Sequence, residues 1–345
     1  MKTSADLIAA SIAPSSARAY RSGVNRLEQW LGTVCVALGT PPFQLSTAAG
    51  LRAVLEEPTL VGAFIAFLHL EGVDASTAAT YLDGIRHFAT DLEGHPAPSR
   101  HPGVALVLRG MRSRQPASDE QPSIRMDSLR DMVRAIPTLG LLPMDAAALE
   151  AAMTMAYYGA LRVSEYLVSG DRAKLLTRGD VTVSPDGQSM TVSLKKTKTN
   201  QTGPPQLVII PARGGATSLC PVASMLRYLV LRDARFGANP VKPFFGRASG
   251  IALTSRVFNN LVKQAGRAAG VRDWRNLASH ALRAGSTTDA VANGADFLAV
   301  KAHGRWRSDG APAAYIRQAA GVEAARRVQQ FLDEPQHRVP QGPMG

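Results

Sequence analysis

The chain has 345 residues, 45% of them hydrophobic, which is enough for a sizeable core and, by length, for two domains. No apolar run reaches a membrane span, the start lacks a signal-peptide pattern, and Cys35 and Cys220 lie too far apart in sequence to indicate a disulfide framework or a Cys-rich zinc site. The two separated cysteines suit a reducing compartment. The formal charge of +12 is uneven: residues 1–120 carry 10 basic and 11 acidic side chains, residues 121–345 carry 29 and 16, and so strong a basic excess in one part suits a polyanionic partner.

Residues 1–13 are weakly patterned. Ser15 or Ser16 can cap a helix whose Tyr20, Val24, Leu27, Trp30 and Leu31 form an apolar stripe. After the Pro41-Pro42 loop, Thr59 is expected to open a helix with Val61, Phe64, Ile65 and Leu68 on one side and Gly72 as its stop. Asp74 or Ser76 caps the next, which buries Ala79, Tyr81, Leu82, Ile85 and Phe88, and a short helix follows around Val104–Met111. These elements predict a small helical bundle over residues 1–112. Arg109, Arg112 and Arg114 at its end suit phosphate contacts or a solvated helix end equally. Residues 113–124 lack periodicity, hold two prolines and read as a linker.

The second domain is expected over 125–345. Helices are predicted over about 127–136 and 144–168, the latter carrying Tyr157-Tyr158-Gly159-Ala160-Leu161-Arg162-Val163-Ser164-Glu165. The period then switches from 3.6 to 2: Asp180–Ser184 and Met190–Lys195 flank a Pro185-Asp186-Gly187 turn, and Leu207–Ile210 makes a third strand. Between the last two lies the basic run Lys195-Lys196-Thr197-Lys198-Thr199-Asn200. Helices follow over Cys220–Arg235, with Val222, Met225, Leu226, Leu229 and Val230 as the buried stripe, and over Leu253–Ala269, capped by Thr254 or Ser255. On the latter Arg256, Asn259, Lys263 and Arg267 could lie along a polyanion. The fold class is thus mainly α with a small three-stranded antiparallel sheet.

The last third holds the densest chemistry. Ser279 reads as the N-cap of a helix that stops at Gly294 and puts His280 and Arg283 on one face. A short helix over Asp296–Ala302 ends at Gly304, His303-Gly304-Arg305-Trp306-Arg307 follows, and Pro312 opens a helix that carries Tyr315. A guanidinium fork binds phosphate bidentately, and a phenol beside a bound phosphate can act as a nucleophile. Val322–Leu332 is amphipathic, with Val322, Ala325, Val328, Phe331 and Leu332 on one side, and the Pro- and Gly-rich tail from Pro335 is expected to be disordered. No phosphate loop or His/Cys/carboxylate metal cluster appears, so neither ATP nor a metal is expected.

His280-Ala-Leu-Arg283, then Gly304-Arg-Trp306, then Tyr315-Ile-Arg317 resembles the second signature box of the tyrosine recombinases, the phage-integrase family. The nine-residue step from Trp306 to Tyr315 and the Ala284-Gly285 after Arg283 are similar to the Cre-like branch, where Trp stands for the commoner His. The run from Leu298 to Asp309 also resembles recombinases of DIRS and Crypton mobile elements. Leu161-Arg162-x-Ser164-Glu165 resembles the first box.

The resemblance implies a core-binding domain at the N-terminus and a catalytic domain after the linker, closing on double-stranded DNA at a specific recombination site. It implies Tyr315 as nucleophile, Arg162 and Arg283 as phosphate clamps, with Glu165 orienting an arginine, and His280 as base or phosphate ligand. It implies Trp306 as a donor-only phosphate ligand and Lys198, with Lys196 as fallback, as general acid. It further implies a homotetramer on paired sites linked by a helix at about 322–332, an intracellular, DNA-associated protein, and no cofactor. His303, three residues before Trp306, has no assigned role. Type IB topoisomerases use similar catalytic residues without a partner protomer, and a non-catalytic DNA-binding descendant would have lost one of the six. Residues 322–332 alternatively pack on their own domain.

Overall fold

The computed structural model describes residues 11–12, 14–90, 101–115, 122–168, 175–197, 200, 203–214, 219–237 and 242–310. The chain divides into two compact units, Met1–Asp119 and Glu120–Gly345. Lys198, Tyr315 and the 322–332 segment lie outside the described residues.

The first unit holds five helices among the described residues: α1 (Pro14–Leu38), α2 (Ala48–Leu55), α3 (Pro58–Leu70), α4 (Ala75–Ala89) and α5 (Pro102–Arg114). Their apolar stripes meet in one core around Leu27, Leu31, Phe64, Ile65, Leu68 and Leu82, with α1 lying against α4. Trp30 tilts onto Phe64 at 5.5 Å and adds aromatic contact to the area buried. Asp74 caps α4 as expected, accepting from the backbone N–H groups of Ser76 and Thr77. Hydrogen bonds from the Thr77 and Ser76 hydroxyls, then the backbone ones, hold its pKa down at about 2. The start of α3 differs from expectation: Pro58 opens it, after Glu57, because proline's fixed φ and missing N–H suit the first turn better than a threonine cap. Helix α5 runs to Arg114, so residues 113 and 114 are helical and not linker. No single helix among the described residues is long and apolar enough to cross a membrane.

The second unit is mainly helical with one small sheet. In chain order it runs α6 (Met126–Ala135), α7 (Pro143–Tyr158), α8 (Val163–Tyr166), strands β1 (Val181–Val183), β2 (Ser189–Leu194) and β3 (Gln206–Pro211), then α9 (Pro221–Phe236), α10 (Ser255–Ala268), α11 (Ser279–Ala292) and α12 (Phe297–Gly304). The strands form an antiparallel sheet in the order β1-β2-β3, with Val181 opposite Val192 and Val192 opposite Val208. Val181, Met190, Val192, Leu194, Val208 and Ile210 are buried, whereas Leu207 and Ile209 face outward, the alternation of a sheet covered on one side.

Helix α7 presents apolar residues on every side, with Asp145 and Glu150 as its charged exceptions, and forms the centre of this core, packed by α9 and α11. Two expectations fail here. The predicted 144–168 helix breaks after Tyr158: Ala160 takes a left-handed φ of 44°, Leu161 N–H turns back to the Ala156 carbonyl at 2.9 Å, and α8 starts afresh at Val163. On α9, Leu226 and Val230 are exposed, and Tyr228 and Arg232 are buried in their place. Arg232 is tolerated inside because it donates to the carbonyls of Phe244, Pro243 and Gly237 and to Asp233.

Candidate active site

The break after α7 is what presents Arg162. As N-cap of α8, Arg162 takes extended backbone, and its N–H donates to Glu165 Oε2 at 2.8 Å. Its guanidinium Nη1 donates to Glu165 Oε1 at 3.0 Å. Glu165 is 1% exposed and Arg162 19%, so the carboxylate is the buried anchor and the arginine reaches the surface. A continuous helix would have left this pair on one ordinary helical face.

Helix α11 supplies His280 and Arg283 from its first two turns. It begins at Ser279 itself, after Ala278, and Ser279 N–H donates to Asn259 Oδ1 on α10 at 2.9 Å, so an Asn on the neighbouring helix serves one of the free N–H groups of the first turn. Arg283 is fully buried: Nη1 donates to the Ala160 carbonyl and Nη2 to the Gly304 carbonyl. Trp306 lies over its guanidinium at 4.3 Å, a cation–π contact that confines the arginine from one side. This stack requires glycine at 304, since a Cβ there would stand 1.7 Å from the indole.

His280 is exposed at one edge, yet partial desolvation and then the positive charges of Arg283 and Arg162 hold its pKa below the ordinary histidine value. It is therefore neutral near pH 7 and can accept a proton. His303 is shifted the same way by desolvation, Arg305 and Arg283, against a backbone hydrogen bond with Tyr158.

Four of the six sequence-predicted residues, Arg162, His280, Arg283 and Trp306, thus come together from three elements. The other two, Lys198 and Tyr315, lie outside the described residues. Lys196 is exposed on the β2–β3 connection, and Lys195 is tied to Asp180 at 2.7 Å. Glu165 holds an arginine, as expected of it. Burial pushes the phenols of Tyr157 and Tyr166 well above the usual tyrosine range, with a hydrogen bond to Asp289 adding to the effect on Tyr157. Neither is suited to attack as phenolate.

Sequence reasoning missed two groups. Arg305, between Gly304 and Trp306, is mostly buried and pairs with Glu165 at 2.9 Å. Asp289, two turns after Arg283 on α11, accepts from Met126 N–H at 2.7 Å, from Arg125 Nε and from the Tyr157 hydroxyl. An arginine beside a box residue and an acid in a basic unit were the available signals. Neither separates a buried partner from a solvated side chain.

No family profile and no curated protein sequence matches the chain. Solved structures do. The XerH site-specific recombinase bound to palindromic difH, post-cleavage, matches with a TM-score of 0.57 at 15% identity, over 79% of this chain and 72% of that one. The Tn1549 transposon integrase with transposon right end DNA matches at 0.55 and 13%, over 91% and 99%. A lambda integrase dimer on a COC′ core site matches at 0.52 and 17%, over 88% and 89%. The chain therefore has the mainly α fold, with its small antiparallel sheet, of the site-specific recombinases and integrases.

Proposed function

We propose that the chain is a site-specific DNA recombinase that cuts and rejoins DNA through a 3′-phosphotyrosine intermediate. The observation that carries this reading is the convergence of Arg162, Arg283, neutral His280 and Trp306 at one place, on a fold shared with solved recombinases and integrases. The partner is double-stranded DNA carrying a recombination site, and strand exchange between paired sites calls for four protomers, with residues 322–332 as the linking helix. The core-binding domain is the first unit and the catalytic domain the second. The protein works inside the cell on DNA. Trp306 in place of a histidine puts it nearest the Cre-like pattern.

In the first step the Tyr315 oxygen bonds to phosphorus as the bond from phosphorus to the 5′ oxygen breaks. The phenol proton goes to His280 Nδ1 or Nε2, whichever is unprotonated, and Lys198 protonates the leaving 5′ oxygen. Arg162 and Arg283 stabilise charge growing on the non-bridging oxygens. The phosphotyrosyl bond keeps the energy of the broken phosphodiester, so a 5′-hydroxyl of a second strand reverses the chemistry with no external energy source.

The test is to incubate the protein with genomic DNA of its source organism, denature, and sequence the DNA that stays attached. A reproducible junction, attached through its 3′ end, is the expected result. Attachment at unrelated positions, or none, contradicts the proposal.

A further inference from the structure

A third guanidinium stands between the two arginines assigned to phosphate. Arg305 caps α12 with a left-handed φ of 55°, a conformation that favours glycine and that an arginine adopts only under constraint. Its side chain supplies the constraint. It is one-tenth exposed; Nη1 donates to the carbonyls of Gly159 at 3.0 Å and His303 at 3.1 Å, and Nη2 to the carbonyl of Ala160 at 3.1 Å and to Glu165 Oε2 at 2.9 Å. The Ala160 carbonyl is also the acceptor for Arg283. One side chain thus bonds the Gly159–Glu165 turn to the end of α12, where Gly304 and Trp306 hold Arg283.

The consequence lies in how Glu165 is compensated. A carboxylate this deeply buried must be neutralised by its surroundings. Here the charge is divided: Oε1 takes Nη1 of Arg162, and Oε2 takes Nη2 of Arg305 together with the Arg162 N–H. Without Arg305, Arg162 is the cation in place to satisfy both oxygens. A fork closed bidentately on a carboxylate is the stronger arrangement and is lost to a phosphate.

We infer that Arg305 is a positioning residue, which occupies Glu165 so that Arg162 stays directed at the substrate phosphate. The inference rests on the reading of Arg162 and Arg283 as phosphate ligands.

The probe is inorganic phosphate, titrated calorimetrically into the full chain at fixed ionic strength, with Arg162→Met defining binding elsewhere on this basic protein. Arg305→Met should weaken the Arg162-dependent affinity about fivefold, the scale of coupling expected between contacting charged groups. Adding Glu165→Gln removes the demand for a second cation, so the double variant should bind phosphate as well as Glu165→Gln alone. Arg305→Gly relaxes the backbone at φ 55° and should nevertheless lose affinity as Arg305→Met does. If Arg305→Met does not fold, Arg305→Lys, which keeps the charge without the fork, carries the affinity measurement and should fall short of wild type. Wild-type affinity in Arg305→Met or Arg305→Lys, no recovery on neutralising Glu165, or no Arg162-dependent binding in wild type would each overturn the assignment. None of these arms needs DNA cleavage. A chain that forms no covalent DNA complex but passes the cycle would sink the recombinase reading alone.

Discussion

His280 gives the proposed chemistry a pH signature. A pKa below about 6.5 means that the base form dominates down to mildly acid pH. Single-turnover cleavage should therefore be flat near neutrality and fall only as pH drops below that value, and His280→Gln should be slower and lack that fall. The same shift bears on stability. His280 and His303 bind protons more weakly when folded, so the unfolded chain takes up more of them as pH falls below about 6.5, and stability should decline there. Urea titrations at pH 7.5 and 5.5 check the sign, and replacing both histidines by glutamine should reduce the difference. A second residue-scale prediction concerns Tyr166, whose hydroxyl is buried with no hydrogen-bond partner among the described residues. Such a group costs about 1–3 kcal/mol, so Tyr166→Phe should hold or raise the melting temperature. A large drop would reveal a partner for the hydroxyl.

At the scale of elements, the segment entering the second unit is fastened to the helix that carries His280 and Arg283. Ile124, fully buried, donates its N–H to the Ala281 carbonyl at 2.8 Å, and its own carbonyl lies where a Cβ on Gly285 would be, 1.8 Å away. Asp289 fixes the next two residues. Gly285→Ala should cost about 1–3 kcal/mol by overpacking against backbone that cannot yield without moving α11. Asp289→Ala should cost about 2 kcal/mol by stranding Tyr157 and the Met126 N–H, as read by chemical denaturation. Helices and strands with one buried face were legible in the sequence, because period 3.6 and period 2 report burial directly. That is why α4, β2 and α10 fall where their patterns put them. The break after Tyr158 was not legible: residues 144–168 are apolar enough to continue as a helix, and the carbonyl of the left-handed Ala160 accepts from Arg283 and Arg305, more than a hundred residues later. Of the candidate site, the resemblance to the two recombinase boxes singled out Arg162, His280, Arg283 and Trp306, which the structure brings together. The burial of Arg305 and Asp289 depended on long-range pairing that no local pattern encodes.

For the whole molecule, the basic excess of residues 121–345 makes DNA affinity salt-dependent in the proposed function. Log K should fall with log salt by about 0.9 for each phosphate neutralised. A slope near zero would contradict a polyanion partner. Deleting residues 320–345 should spare binding to a single site and weaken synapsis, seen as loss of the four-protomer species on paired sites. A truncated chain that recombines normally would refute the linking role given to residues 322–332.

The central claim is that Tyr315 becomes bonded to DNA. A free phenol has a pKa of about 10 and is mostly protonated near neutrality, so it attacks only with cations and a base beside it. Phenylalanine keeps the ring and removes the one atom that bonds phosphorus. The deciding measurement is mass spectrometry of the covalent complex, trapped on a nicked target site and digested with protease and nuclease, alongside the same trapping with Tyr315→Phe. The account predicts a nucleotide adduct on the peptide containing Tyr315, and a Tyr315→Phe protein that binds the site with near-normal affinity but forms no denaturant-resistant complex. An adduct on Tyr157, Tyr158 or Tyr166, or a covalent band that persists in Tyr315→Phe, would contradict it.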